Sequence, residues 1–95
     1  MYNLVFTARF NLELNEIVDF IAKDSKNNAK TFHNELRDKI KYLVATPFIY
    51  RKSTSSDNSQ IRDLIYKGYV IPYFVDTEKS VILVLGIFKR NEWNI

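Results

Sequence analysis

The sequence predicts an α+β domain of order β-α-α-β-β-β, an antiparallel-dominated four-stranded sheet with an αα-hairpin packed on one face. Three observations carry this reading. Apolar residues recur at the spacing of a helix face between Phe10 and Leu43. They alternate with a period of two from Ile61 to Val75. From Val81 to Phe88 they are almost continuous, as in a central strand covered on both faces. A chain of 95 residues with this single succession of elements is one domain, 1–95.

Tyr2 to Phe6 reads as a short strand. The stripe Phe10, Leu14, Ile17, Val18 and Ile21 then defines a first helix, with Thr7 or Asn11 as its N-cap. Asp24 to Asn28 is a polar break in which Asn27 or Asn28 would cap a second helix. That helix has the stripe Ala29, Phe32, Leu36, Ile40 and Leu43 and stops at Thr46-Pro47, because proline disfavours the helical region for the residue before it. Lys52 to Gln60 holds no apolar residue and is expected to be a mobile surface loop. Lys67-Gly68 suits a two-residue hairpin turn. That turn pairs Tyr66 with Tyr69, Leu64 with Ile71 and Arg62 with Tyr73. One face of the hairpin is then Arg62, Leu64, Tyr66, Tyr69, Ile71, Tyr73 and Val75. The other is Ile61, Asp63, Ile65, Val70, Pro72 and Phe74. Asp76 to Lys79 makes the next turn, and Lys89 to Trp93 leaves the sheet as a polar tail. An isolated first strand would strand its backbone groups, so it joins the same sheet.

Composition removes several kinds of chemistry. There are no cysteines, so there is no disulfide framework, thiolate metal site or cysteine nucleophile. One histidine is too few for a histidine-rich metal site, and two glycines make no phosphate loop. No metal and no cofactor is expected. The apolar run at 81–88 is far short of a membrane span, and no basic segment precedes an apolar one at the N-terminus. The expectation is a cytoplasmic protein without a membrane partner. Net charge is +3, spread over both halves, which decides nothing about a partner. His33 reads as a half-buried helix residue. Asp63, the one acid in an apolar setting, reads as edge-exposed or paired with a base. Basic residues interleave with Tyr50, Tyr66, Tyr69, Tyr73 and Trp93, a mixture that suits nucleic acid or an ordinary small sheet alike.

The ordered residues nevertheless resemble a family. Thr7-Ala8 leads into Leu14-Asn15-Glu16-Ile17-Val18-Asp19-Phe20-Ile21. Ala29 and Phe32 follow, then Leu43 before Pro47 and Arg51. Ile61-Arg62-Asp63-Leu64, Gly68-Tyr69-Val70-Ile71-Pro72-Tyr73 and Val81 to Ile87 complete the set, with a basic tail to Trp93. Together they resemble the RelE/ParE superfamily of toxins from type II toxin–antitoxin modules. The resemblance implies a growth-inhibiting toxin neutralised by a cognate antitoxin. RelE-like members are ribosome-dependent mRNA endonucleases that use basic residues on the exposed meander face. The matching positions here are Ile61, Asp63 and Val70, and none is basic. ParE-like members poison DNA gyrase, and Arg62 with Glu92-Trp93 resembles their pattern. A ParE-like toxin is therefore expected, with no catalytic residues and with Arg51, Arg62, Lys89, Arg90 and Trp93 contacting the target. Val70, Pro72 and Phe74 would meet the antitoxin. The alternative is an mRNA endonuclease acting on ribosome and message, with Arg62, Lys67, Lys89 and Arg90 as its cationic site.

Overall fold

A computed structural model of the chain describes residues 1–54 and 56–90. The elements are β1 (Asn3–Phe6), α1 (Ala8–Asp24), α2 (Lys26–Tyr42), β2 (Ile61–Tyr66), β3 (Tyr69–Asp76), β4 (Val81–Val84) and β5 (Phe88–Lys89). The sheet runs β1-β4-β3-β2, and β5 pairs with β3 beyond the end of β4. β2, β3 and β4 form the expected antiparallel meander, and β1 lies parallel to β4.

Thr7 joins three elements. Its side-chain oxygen accepts from Phe10 N–H at 3.1 Å and caps α1. The same hydroxyl is 2.9 Å from the Val84 carbonyl and 3.1 Å from that of Leu85, so it donates to the end of β4. The break between the helices is tighter than the sequence suggests. Ser25 alone separates them, and its Oγ accepts from Asn28 N–H, so Ser25 rather than Asn27 or Asn28 caps α2. Its backbone N–H donates to Ile21 O and closes α1.

The core lies between the helices and one sheet face. Leu36 and Ile40 from the second helix, and Leu43 at its C-cap, are wholly buried. So are Leu64, Ile71, Tyr73, Val75, Ile82 and Val84 from the sheet. Phe10 and Leu14 anchor α1, while Ile17, Val18 and Ile21 pack at its border. Phe32 packs tilted against Tyr66 and edge-to-face on Tyr69, at centroid distances of 5.3 and 5.4 Å. The hairpin register is the expected one, Tyr66 opposite Tyr69 through Arg62 opposite Tyr73. Lys67 and Gly68 both take positive φ, 49° and 84°, as a type I′ turn requires.

Two expectations are corrected. Residues 52–60 are not simply a loose loop. Ser53 N–H donates to Ile61 O and Asp63 N–H to Arg51 O, so Arg51 to Ser53 pairs along β2 and covers its edge. The 81–88 run is not one strand. Tyr73 faces Val84, but Val70 faces Phe88, so Ile71 and Pro72 oppose three residues, Leu85 to Ile87. That extra residue is a β-bulge, and Gly86 inside it is the mark the sequence carried. Consequently Lys89 does not leave the sheet but pairs with Tyr69, and Arg90 N–H still donates to Gly68 O at 2.8 Å.

Candidate functional site: the hairpin tip and the outer sheet face

The sheet divides the predicted basic residues into two groups. Lys67 lies in the β2–β3 turn, Lys89 pairs opposite Tyr69, and Arg90 is bonded through its backbone to Gly68. All three are exposed and gather at the hairpin tip. Arg51 and Arg62 lie toward the start of β2, about four residues or roughly 13 Å along the strand from Tyr66. Trp93 falls outside the described residues.

The two distant arginines are engaged by the fold. Arg62 Nε donates to Ser59 O at 3.2 Å and Nη1 to Tyr50 O at 3.0 Å, and the guanidinium lies 4.7 Å from the Phe48 ring centroid. It ties Phe48, Tyr50 and Ser59 to the sheet. Arg51 Nη2 is 3.8 Å from Asp63 Oδ2. Asp63 is 2% exposed, so it is the base-paired acid and not the edge-exposed one. A buried carboxylate without that counter-charge would be strongly unfavourable.

At the tip, Lys67 Nζ is 3.6 Å from Glu35 Oε1, the same oxygen that accepts from the Tyr66 hydroxyl at 2.5 Å. That hydroxyl, followed by Lys67, holds the Glu35 carboxyl below the usual range. Burial, reinforced by Glu35, pushes the Tyr66 phenol up to about 12. Tyr66 therefore keeps its proton at neutral pH and donates it in a hydrogen bond to Glu35. His33 sits half-buried on α2. Among the described residues Lys89 and Arg90 enter no ion pair, which leaves them available to an anionic or acidic partner.

The face away from the helices is apolar. It carries Ile61, Ile65, Val70, Pro72 and Phe74 from the hairpin, with Leu83 opposite Phe74 and Phe88 opposite Val70. Of the three predicted antitoxin contacts, Pro72 and Phe74 are half-buried, but Val70 is only 5% exposed. The bulge brings Phe88 alongside Val70 and reduces the surface it offers. A cleft of about 250 Å³ opens on this side, lined by Arg9 and Glu13 of the first helix together with Ser56, Ile61, Pro72 and Phe88. A second groove of about 390 Å³ separates the first helix from the tip, with Ile17 and the 71%-exposed Phe20 facing Tyr69, Phe88 and Lys89. Phe20 lies off the helix stripe, and nothing in its spacing announced the groove.

No three or more His, Asp or Glu side chains among the described residues are placed to hold a metal. No helix among them is long and apolar enough to cross a membrane.

This two-helix hairpin on a mixed sheet is the RelE/ParE fold. The structure superimposes on the chromosomal ParDE system of P. aeruginosa with a TM-score of 0.76, 18% identity, and coverage of 96% of this chain and 98% of that one. The isolated E. coli RelE toxin matches with a TM-score of 0.72 at 21% identity, over 99% of this chain and 89% of that one. The intact E. coli RelBE toxin–antitoxin complex matches with 0.73 at 21%, over 97% and 100%. No curated protein sequence matches the chain. The family described as "ParE toxin of type II toxin-antitoxin system, parDE" matches residues 4–92, and the chain belongs to it. It is a toxin of a type II toxin–antitoxin system.

Proposed function

We propose that this toxin arrests growth by binding DNA gyrase and trapping it on DNA, and that a cognate antitoxin neutralises it. One observation carries the choice of target. The outer meander face holds aliphatics, a proline, a phenylalanine and one buried acid, with no lysine, arginine or histidine among Ile61, Asp63, Ile65, Val70, Pro72 and Phe74. Cleavage at a ribose 2′-hydroxyl needs a group to take its proton and cations to stabilise the phosphorane. Losing one such donor typically costs about 10²–10³ in rate. The strands of this face supply no such cation, and the arginines that reach its border, Arg51 and Arg9, are held by Asp63 and Glu13, which favours recognition over catalysis.

Lys89 and Arg90 at the tip are the proposed target contacts, and Pro72 and Phe74 the antitoxin contacts. Arg51 and Arg62 act by holding the edge segment in place. The antitoxin reading draws on the family and on the RelBE and ParDE complexes among its structural relatives.

The test is a supercoiling assay with purified toxin, gyrase and relaxed plasmid. Inhibition with accumulation of cleaved DNA is expected, weakened by Lys89→Ala or Arg90→Ala in proteins that melt like the parent. Unimpaired gyrase at saturating toxin would sink the proposal. Codon-positioned cleavage on programmed ribosomes would replace it with the nuclease reading.

A further inference from the structure

We propose that Glu13 is a positioning residue that holds the Gly86–Ile87 bulge and so sets which side of the sheet Phe88 and Lys89 occupy. The claim about toxicity rests on the reading above, in which Lys89 and Arg90 meet the target. The claim about the bulge does not.

The geometry is local and specific. Leu85 N–H still donates to Pro72 O at 2.9 Å, but two residues later the ladder has slipped by one. Ile87, 2% exposed, has a backbone N–H that must find an acceptor. Glu13 Oε1 supplies it at 3.0 Å, reaching in from α1. Its other oxygen accepts from Arg9 Nε at 3.1 Å, which aims the carboxylate. Room for this contact exists because residue 86 is glycine. A Cβ there would stand 2.7 Å from Glu13 Oε1, closer than carbon and oxygen can approach without a shift.

The consequence is a change of face. Side chains in a strand alternate, so one inserted residue reverses everything after it. In an unbroken strand, Val84, Gly86 and Phe88 would all point to the helices. With the bulge, Ile87 fills the core, Phe88 moves to the outer side opposite Val70, and Lys89 turns toward α1 opposite Tyr69. The sequence alone gave Glu13 no role beyond lying off the apolar stripe.

The experiment uses four variants of the full chain: Glu13→Gln, Glu13→Ala, Gly86→Ala and the Glu13→Ala/Gly86→Ala pair. Amide hydrogen exchange of Ile87 is followed by NMR beside that of Ile40 in α2. Glu13→Gln retains an acceptor oxygen and should keep Ile87 protected. Glu13→Ala should speed Ile87 exchange by about tenfold or more, the equivalent of one bond to a charged acceptor, with Ile40 unchanged. Gly86→Ala should give the same result by displacing Glu13, and the double variant should be no worse than Glu13→Ala. Growth arrest on expression, which reads the tip whatever the target, should be lost in Glu13→Ala and kept in Glu13→Gln. Protected Ile87 in Glu13→Ala, or additive damage in the pair, overturns the bulge claim. Full toxicity in Glu13→Ala with a deprotected Ile87 overturns the positioning claim. Failure of the gyrase reading would show separately, in the supercoiling assay of the unaltered protein.

Discussion

Arg62 turns its guanidinium into the fold, toward the carbonyls of Tyr50 and Ser59 and the Phe48 ring, and Arg90 turns its own outward. Two arginines alike in sequence thus have opposite consequences. Arg62→Ala should lower unfolding free energy by about 1–3 kcal/mol, and Arg62→Lys should not restore it, because a point ammonium cannot fork between two carbonyls. Arg90→Ala should leave the urea midpoint where it was. The buried tyrosines make a second test. Burial pushes Tyr73 up to about 12, as burial and Glu35 do Tyr66, and the Tyr73 hydroxyl donates to Pro47 O at 2.8 Å. Between pH 10 and about 12 the unfolded chain loses these protons while the folded chain keeps them. The unfolded state then binds fewer protons, so stability falls as pH rises, and is fully present below pH 10. Urea midpoints at about pH 9 and about pH 11 should separate, and Tyr73→Phe should narrow the gap.

At the scale of elements, apolar periodicity was a sound guide wherever one face meets the core. The two helix stripes and the hairpin register appear as read, because a one-residue slip in either would expose an entire apolar set. Caps and edges were less legible. Ser25 closes α1 through its N–H and opens α2 through its Oγ, a double duty that spacing does not reveal. Ser25→Ala should cost about 0.5–2 kcal/mol, with Ser25→Asp close to neutral, as read by urea denaturation. Polar residues 51–53 pair with β2 through backbone hydrogen bonds and the Arg51–Asp63 ion pair, so no apolar alternation signalled the strand. The break after Val84 was hidden for another reason. An apolar run predicts burial on both faces but is silent about register, and the acceptor that accommodates the slip comes from Glu13, far away in sequence.

Across the whole molecule, β1 beside β4 forms one edge of the sheet and α2 presses its stripe against the centre of the meander. Leu36 sits there with no exposure, and Leu36→Ala should cost about 2–5 kcal/mol of a total near 5–15, enough to leave a measurable unfolded fraction at growth temperature. The toxin fold was readable because many weak residue patterns agreed in order over nearly the whole chain. The working surface was less so. Exposure of Lys89 and Arg90 and engagement of Arg51 and Arg62 depend on contacts between distant segments, which no local pattern encodes. What remains free at the surface is a basic tip beside a largely apolar face, and the proposed binding role rests on that pairing. The most direct measurement is pulse labelling of growing bacteria after induction of the toxin. Thymidine incorporation should fall before amino-acid incorporation. An immediate stop of protein synthesis, with DNA synthesis continuing and messages cut within codons, would contradict the gyrase reading.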